Sequence, residues 1–377
     1  MFGPRADSGI LGVLLWIPTL YAVPQAAFGL ALAWAFVARE RSRNVDTVDA
    51  VFLVVLTLLS SLNFVYGLAT TPDGNPARTP YFFAYVGTYL LARGVNENDL
   101  RACLYCIGVE ALFVYAEFAL GINTIFTSNP NYRSGLTPAM LYFSRPFGLS
   151  DIQSVIGYKL FLALILLDYL DFSKAAKRRW LALMLPAFVL VFNRSALIAY
   201  AVYLVVKLLR ATMVPGFRLR AVMTVVVLAG LLLALPDNVA NVIWGQFNRN
   251  KDTVDLSYRD VIWGEFARFI ADYPILGNGS AKHYAWVSDY GVYEHAHNSY
   301  LELIASNGLL ISAVYALWFI VRSRRSALLY MLPVMIYSMS QYGFFWGVSF
   351  VDVIFLRLAF FARREEVAPG QAVALPH

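Results

Sequence analysis

The sequence predicts an all-α polytopic membrane protein of about twelve transmembrane helices, with a large extracytoplasmic loop that contains an amphipathic helix. Three observations lead there. Of 377 residues, 59% are hydrophobic and only 14% charged, with a mean hydropathy of +0.59; a soluble domain carries about 25% charged residues. The apolar excess is gathered in blocks divided by short polar stretches, and a bilayer core takes roughly 20 apolar residues per helix. Lysine and arginine cluster in the connectors, as they do in inner-face loops. The net charge of +6 therefore reads as membrane topology, not as a nucleic-acid surface.

In order, the apolar blocks run over 10–22, 25–38, 47–69, 80–92, 100–120, 150–170, 180–193, 195–209, 221–236, 299–321, 327–343 and 349–361. Pro24 divides the first two; one span broken there would lower the count to eleven. Pro186, Asn193 and Arg194 interrupt 180–209, which reads as a tight hairpin. Short spans of this kind need tilt or local thinning. The basic clusters (Arg39, Arg41 and Arg43; Lys174, Lys177, Arg178 and Arg179; Lys207, Arg210, Arg218 and Arg220; Arg322, Arg324 and Arg325; Arg363 and Arg364) all fall on one side of this layout. Both termini are expected there, in the cytoplasm, and the loops 70–79, 121–149 and 237–298 opposite. Arg5 before an apolar run resembles a signal peptide, but the spans downstream favour an uncleaved anchor. Cys103 and Cys106 lie within an apolar helix without a second ligand pair and read as packing residues. Residues 1–377 form a single integral membrane domain.

Chemistry is expected at the loop 237–298. Ser257 and Asp260 have capping-box spacing, and Ile262, Phe266, Phe269 and Ile270 recur at helical spacing. Pro274 and the pair Gly277 and Gly279 end the helix, which suits the outer membrane surface. Arg259 lies in its first turn, where free N–H groups and a guanidinium make an anion site; a surface arginine paired with Asp255 or Asp260 is the alternative. Arg194 sits at the outer end of the hairpin, where a charge at membrane depth implies function or snorkels. Two arginines there suit a diphosphate.

Two of the four histidines, His295 and His297, precede the block 299–321. Ser299 and Glu302 form a second capping-box pattern, and the positive helix end should keep His297 neutral at pH 7. A neutral imidazole can serve as a general base; it can also merely bond the helix start. Glu294, His295 and His297 are the one metal set considered, without convincing further ligands.

The stretches "NRSAL" at Arg194, "YRDVIWGEFARFIADYPILGNG" at Arg259 and "HAHNSYLELIASNGLL" at His297, in that order around a large outer loop, resemble the O-antigen ligase and Wzy-type polymerase superfamily over about residues 180–320. The resemblance implies a metal-independent, inverting glycosyltransferase without a cofactor. Its donor would be a glycan on undecaprenyl diphosphate at the periplasmic face of the bacterial inner membrane. Arg194 and Arg259 match the family arginines that bind the diphosphate, and His297 matches the histidine that activates the acceptor. The family's Thr-x-Ser-Arg-Gly is here Val191-Phe192-Asn193-Arg194-Ser195, a departure at the first arginine. His295, Lys282, Tyr258, Trp263 and Asn298 are further pocket candidates; Trp263 could instead anchor the helix in the interface.

The acceptor separates two reactions. A polymerase of O-antigen, capsule or exopolysaccharide extends another lipid-linked glycan, and this reading is taken first; a ligase joins the chain to lipid A core. A chain-length regulator or flippase is the implied protein partner. A reading of another class, a transporter of a lipid-linked or anionic solute, rests on Glu110, Glu117, Lys159, Asp352 and Arg357 in or near apolar blocks. Against it, no Gly/Pro-interrupted segments correspond between two halves.

Overall fold

A computed structural model describes residues 9–23, 27–38, 45–70, 82–126, 145–150, 153–212, 258–287, 292–323, 327–345 and 348–361, with a few isolated positions between 219 and 245. Among these residues the protein is an all-α membrane protein with one short hairpin. Its helices are α1 (Ile10–Trp16, running into a 3-10 turn, Ile17–Thr19), α2 (Phe28–Ala38), α3 (Thr47–Thr70), α4 (Phe82–Gly94), α5 (Glu97–Leu120), α6 (Gln153–Tyr169), α7 (Lys174–Val191) and α8 (Arg194–Thr212). After the loop come α9 (Arg259–Asp272), the strands β1 (Ala285–Val287) and β2 (Val292–Glu294), then α10 (Ser299–Arg322), α11 (Leu328–Tyr337) and α12 (Phe350–Phe361).

Eleven of the twelve expected blocks thus hold helices; the ninth, 221–236, lies outside the described residues apart from 222–224. Four are long and apolar enough to cross a membrane: Thr47–Leu68, Glu97–Leu120, Arg194–Thr212 and Ser299–Arg322. Ile10–Thr19, Phe28–Ala38 and Leu328–Tyr337 are shorter apolar helices. The expected turn between the two blocks is present. Phe192 closes α7 in the left-handed region at φ 47°, and the Asn193 side chain accepts from the Ala196 N–H at 3.2 Å to open α8.

α6 is the axis of the bundle. Every residue from 156 to 167 is buried, which explains why this helix is apolar all round. Glu110, Glu117, Lys159 and Asp352, charges within the apolar blocks, have hydrogen-bond partners close by. The Lys159 ammonium donates to Glu110 Oε2 at 2.6 Å and to Thr19 Oγ1 at 3.0 Å. Trp16 Nε1 and Ser150 Oγ also donate to the Glu110 carboxylate. Glu117 accepts from the backbone N–H groups of Ile125, Phe147 and Gly148. Asp352 accepts from Phe345 N and from Ser349 Oγ, and the Arg357 guanidinium lies over the Phe361 ring.

Ion pairs mark one end of the bundle. Asp168 at the end of α6 binds Lys177 of α7 and Lys207 of α8. At the same end Asp49 of α3 accepts from Arg322 of α10 at 2.8 Å. The α7–α8 turn, the start of α10 and the end of α11 lie at the opposite end.

α10 is not continuous. Gly308 breaks it at φ 74°, ψ 173°, and the segment 274–280 fills the gap. Leu309 N donates to Pro274 O at 2.7 Å, Asn278 N to Ala305 O at 2.7 Å, and Ser280 N to Ser306 O at 2.8 Å. A Cβ on Gly308 would stand 1.9 Å from the Ile275 carbonyl oxygen, so only glycine fits. Asn63 of α3 holds the other side, donating to Leu276 O at 2.8 Å. Irregular backbone inside a membrane helix is tolerated where protein surrounds it and satisfies its polar groups.

Candidate active site

The site is assembled at the end of the bundle away from the ion pairs, from α9, the β-hairpin, the start of α10 and the turn after α11. α9 begins one residue later than expected. Tyr258 is its N-cap, in the left-handed region at φ 62° and without a side-chain cap bond; Ser257 lies outside the described residues. Tyr258 is 54% exposed. The apolar stripe of α9 faces protein: Ile262 and Phe266 are buried with Ala285, Ala296 and Ala305, and Phe269 and Ile270 pack against them. The His283 ring stacks on Phe269 at 3.7 Å and meets Phe266 edge-on at 4.9 Å.

The hairpin pairs Ala285 with Glu294 and Val287 with Val292, delivering the chain to His295. Trp263 Nε1 donates to Ala296 O at 2.8 Å, so this indole pins the histidine segment rather than a membrane interface. His297 takes φ 46°, and the N-cap of α10 is Asn298, not Ser299. The Asn298 side-chain oxygen accepts from Tyr300 N and Leu301 N, and its amide donates to Met339 O at 2.9 Å. Asn298 is therefore occupied as a cap. Ser299, one residue later, binds the turn after α11: its N–H donates to Ser338 O at 2.9 Å, and its hydroxyl accepts from Gly343 N and Phe344 N.

That turn corrects the block 327–343, since the helix stops at Tyr337, where Ser338 Oγ turns back to Val334 O at 2.7 Å. Residues 338–345 fold over the histidines instead. Tyr342 donates its hydroxyl to Glu302 Oε2 at 3.2 Å and accepts from His297 N at 3.1 Å. Its ring lies 5.0 Å from His295, and the two imidazoles are 4.1 Å apart. The Gln341 side chain hydrogen-bonds His297. Ser340 Oγ donates to Ser195 Oγ at 2.8 Å, tying the turn to the first residues of α8.

Lys282 is buried beside this group, its ammonium 5.1 Å from the Tyr284 ring centre and 5.8 Å from that of Tyr342. Burial pulls it down to about 8, opposed by the Glu302 carboxylate. Burial lowers His297 to about 4, helped by the charges of Arg259 and Lys282 and opposed by the Gln341 hydrogen bond. His295 falls to about 3 through burial, His297, Lys282 and Arg259. Both imidazoles are neutral at pH 7. For His297 the first cause is burial, not the helix end. Arg259 is half-buried, and its field acts on His295, His297 and Tyr337.

Arg194 opens α8 at the same end. Asn193, the residue before it, donates to Ser154 O at 3.3 Å and hydrogen-bonds Tyr337, so the α7–α8 turn is joined to the elements around the histidines. Arg145 donates to the Phe192 carbonyl at 3.3 Å and brings another cation to that turn. A cavity of about 530 Å³ opens beside His295, His297, Gln341 and Tyr342 and extends to the 3-10 turn after α1 and the start of α12. Among the described residues no three His, Cys, Asp or Glu side chains converge as a metal set.

Of the sequence candidates, Arg259, Lys282, His295, His297 and Trp263 converge. Gln341, Tyr342, Glu302 and Arg145 were missed. The run "SMSQY" after Tyr337 carries the polar density of a turn, a signal that an apolar block of seventeen residues had absorbed.

Residues 180–315 match the family model described as O-antigen ligase. No curated protein and no solved structure matches the chain.

Proposed function

We propose, from the chain's place in the O-antigen ligase and Wzy-type polymerase superfamily through residues 180–315, that it transfers a glycan from a polyprenyl diphosphate to a sugar hydroxyl at the periplasmic face. The family implies a glycosyl-transferring membrane enzyme; the observation that carries the finer reading is a neutral, half-buried His297 beside the cavity and within the field of Arg259. His297 takes the proton of the acceptor hydroxyl as that oxygen bonds to the anomeric carbon. The bond from that carbon to the diphosphate oxygen breaks, and the electron pair leaves with the diphosphate. Arg259 and Arg194 stabilise the charge as it develops there, which is where a preorganised cation lowers a barrier. Configuration inverts because one displacement occurs, and no metal enters the sequence of steps.

The acceptor divides the reading. Extension of a second lipid-linked glycan makes the enzyme a polysaccharide polymerase. Attachment to lipid A core makes it a ligase, and the family match supports that alternative equally. Purified protein given undecaprenyl-diphosphate-linked repeat units alone should yield a ladder if it polymerises. Transfer seen only after lipid A core is added identifies the ligase. With the active acceptor, His297→Ala should lower turnover about 100-fold or more while donor binding persists, and Arg259→Glu should abolish donor binding. Full transfer by His297→Ala would remove the base assignment.

A further inference from the structure

Glu302 is an acid that the cap of its own helix does not use. The N-cap of α10 is Asn298, so the reciprocal position of a capping box is Leu301, and Glu302 lies one residue beyond it. An acid in the first turn favours a helix, but an exposed one does so equally well, and Glu302 is fully buried. A buried carboxylate is costly unless donors surround it. Here Ser306 Oγ donates to Oε1 at 3.3 Å, while Ala296 N and the Tyr342 hydroxyl donate to Oε2 at 3.4 and 3.2 Å. The Lys282 ammonium stands within the field of the same carboxylate.

Two of those donors lead to one place. The Tyr342 hydroxyl that donates to Glu302 accepts from His297 N at 3.1 Å, and His297 N is the next peptide N–H after that of Ala296. One carboxylate oxygen therefore holds two successive N–H groups, the first directly and the second through a hydroxyl. The backbone they belong to is strained, because His297 is a non-glycine residue in the left-handed region at φ 46°. Such a conformation persists only where its surroundings over-determine it. The Asn298 cap fixes the chain after the histidine, and Glu302 and the Trp263 indole fix the chain leading into it. We propose that Glu302 is a positioning residue for transfer, acting through Tyr342 and the N–H groups of Ala296 and His297 to hold the His297 imidazole in its working direction. The assignment rests on His297 as the base of the reaction proposed above.

Two substitutions of Glu302 separate hydrogen bonding from charge. Both Glu302→Leu and Glu302→Gln remove the charge that acts on Lys282. Only the Gln oxygen can still accept from Ala296 N and Tyr342, with its amide donating to Ser306 Oγ. In Glu302→Leu kcat should fall about 100-fold, and in Glu302→Gln it should recover to within about fivefold of wild type. Tyr342→Phe should lower kcat about tenfold or more, with binding of undecaprenyl diphosphate within about twofold of wild type. Equal losses in the two Glu302 variants would mean that the charge matters and the positioning bonds do not, which overturns the proposal; full turnover by Glu302→Leu overturns it too. A second readout needs no turnover. Amide hydrogen exchange, followed by mass spectrometry on the peptide carrying Ala296 and His297, should quicken about tenfold or more in Glu302→Leu and Tyr342→Phe but not in Glu302→Gln. Unchanged exchange in the first two overturns the hold on the backbone. Should Glu302→Leu fail to fold, Tyr342→Phe carries both readouts with Glu302→Gln as its control. Failure of the transfer reading looks different: wild-type protein would then transfer to no acceptor, while exchange still responds as described.

Discussion

A histidine held at about 4 accepts a proton poorly unless its surroundings change when substrate arrives. For His297 they do change under the proposed reaction. Burial is the first cause of its low value, and the fields of Arg259 on α9 and Lys282 before β1 add to it. His295, Gln341 and Tyr342 complete the groups that face it, with the Glu302 carboxylate behind Tyr342. A bound diphosphate offsets both cations, so the imidazole gains basicity when the donor is in place. The base must be unprotonated, so activity falls as pH drops through its pKa. We predict that the acid limb of kcat/KM, which reports free enzyme, lies near pH 4, and that the limb of kcat lies higher. Arg259→Gln should move the kcat/KM limb upward by about half a unit to one unit, and leave it well below 6.5 because burial remains. A pH–rate series on wild type and variant checks this; an unmoved limb would separate Arg259 from the base. At this scale the sequence was informative about type and loose about position. His297 and Arg259 stood out as polar residues next to helix starts. The cap at Asn298 was read one residue late, because Ser299 satisfies the same pattern as its neighbour.

At the scale of elements, nothing in the apolar periodicity of 299–321 marks the break at Gly308. Hydropathy counts residues, and a helix interrupted by another segment of the same chain is as apolar as an intact one. The glycines were the available signal: "PILGNG" and "ASNG" each carry the residue that the other needs in order to approach. Gly277 shows it, since a Cβ there would lie 2.5 Å from Ala305 O. The amphipathic period of α9 was legible, yet its partner was not. A stripe of Ile262 and Phe266 fits a membrane surface and a protein surface equally, and only the fold places Ala285, Ala296 and Ala305 over it. Gly308→Ala should therefore be expensive. It combines a left-handed φ with a clash against backbone, and the predicted loss is about 3 kcal/mol or more. Thermal unfolding in detergent should register it, together with earlier proteolytic cutting within 274–280. A variant as stable as wild type would mean that α10 and this segment are not interlocked.

At the scale of the whole molecule, hydropathy and basic connectors outlined the bundle, because a bilayer imposes length and charge rules on every span. What those rules leave open is how the polar residues inside the blocks are used. Glu110, Glu117, Lys159, Asp352 and Arg357 suggested a solute path, yet Glu110, Glu117, Lys159 and Asp352 each have hydrogen-bond partners in the bundle that suffice for a structural role. The Glu110–Lys159 pair is the decisive case, with both side chains fully buried. Breaking such a pair leaves one charge stranded, whereas replacing both members removes the need for either. Glu110→Gln alone should cost about 3–5 kcal/mol. The double variant Glu110→Gln with Lys159→Met should recover much of that, since the Gln oxygen still accepts from Trp16 and no ammonium remains to be neutralised. If the pair is structural, glycan transfer per folded molecule by the double variant stays within about threefold of wild type. If it carries protons or solute, the double variant unfolds like wild type yet loses function. Unfolding temperature and transfer measured on the same preparations separate the two: an inactive but stable double variant would show that the pair serves the reaction and not only the fold.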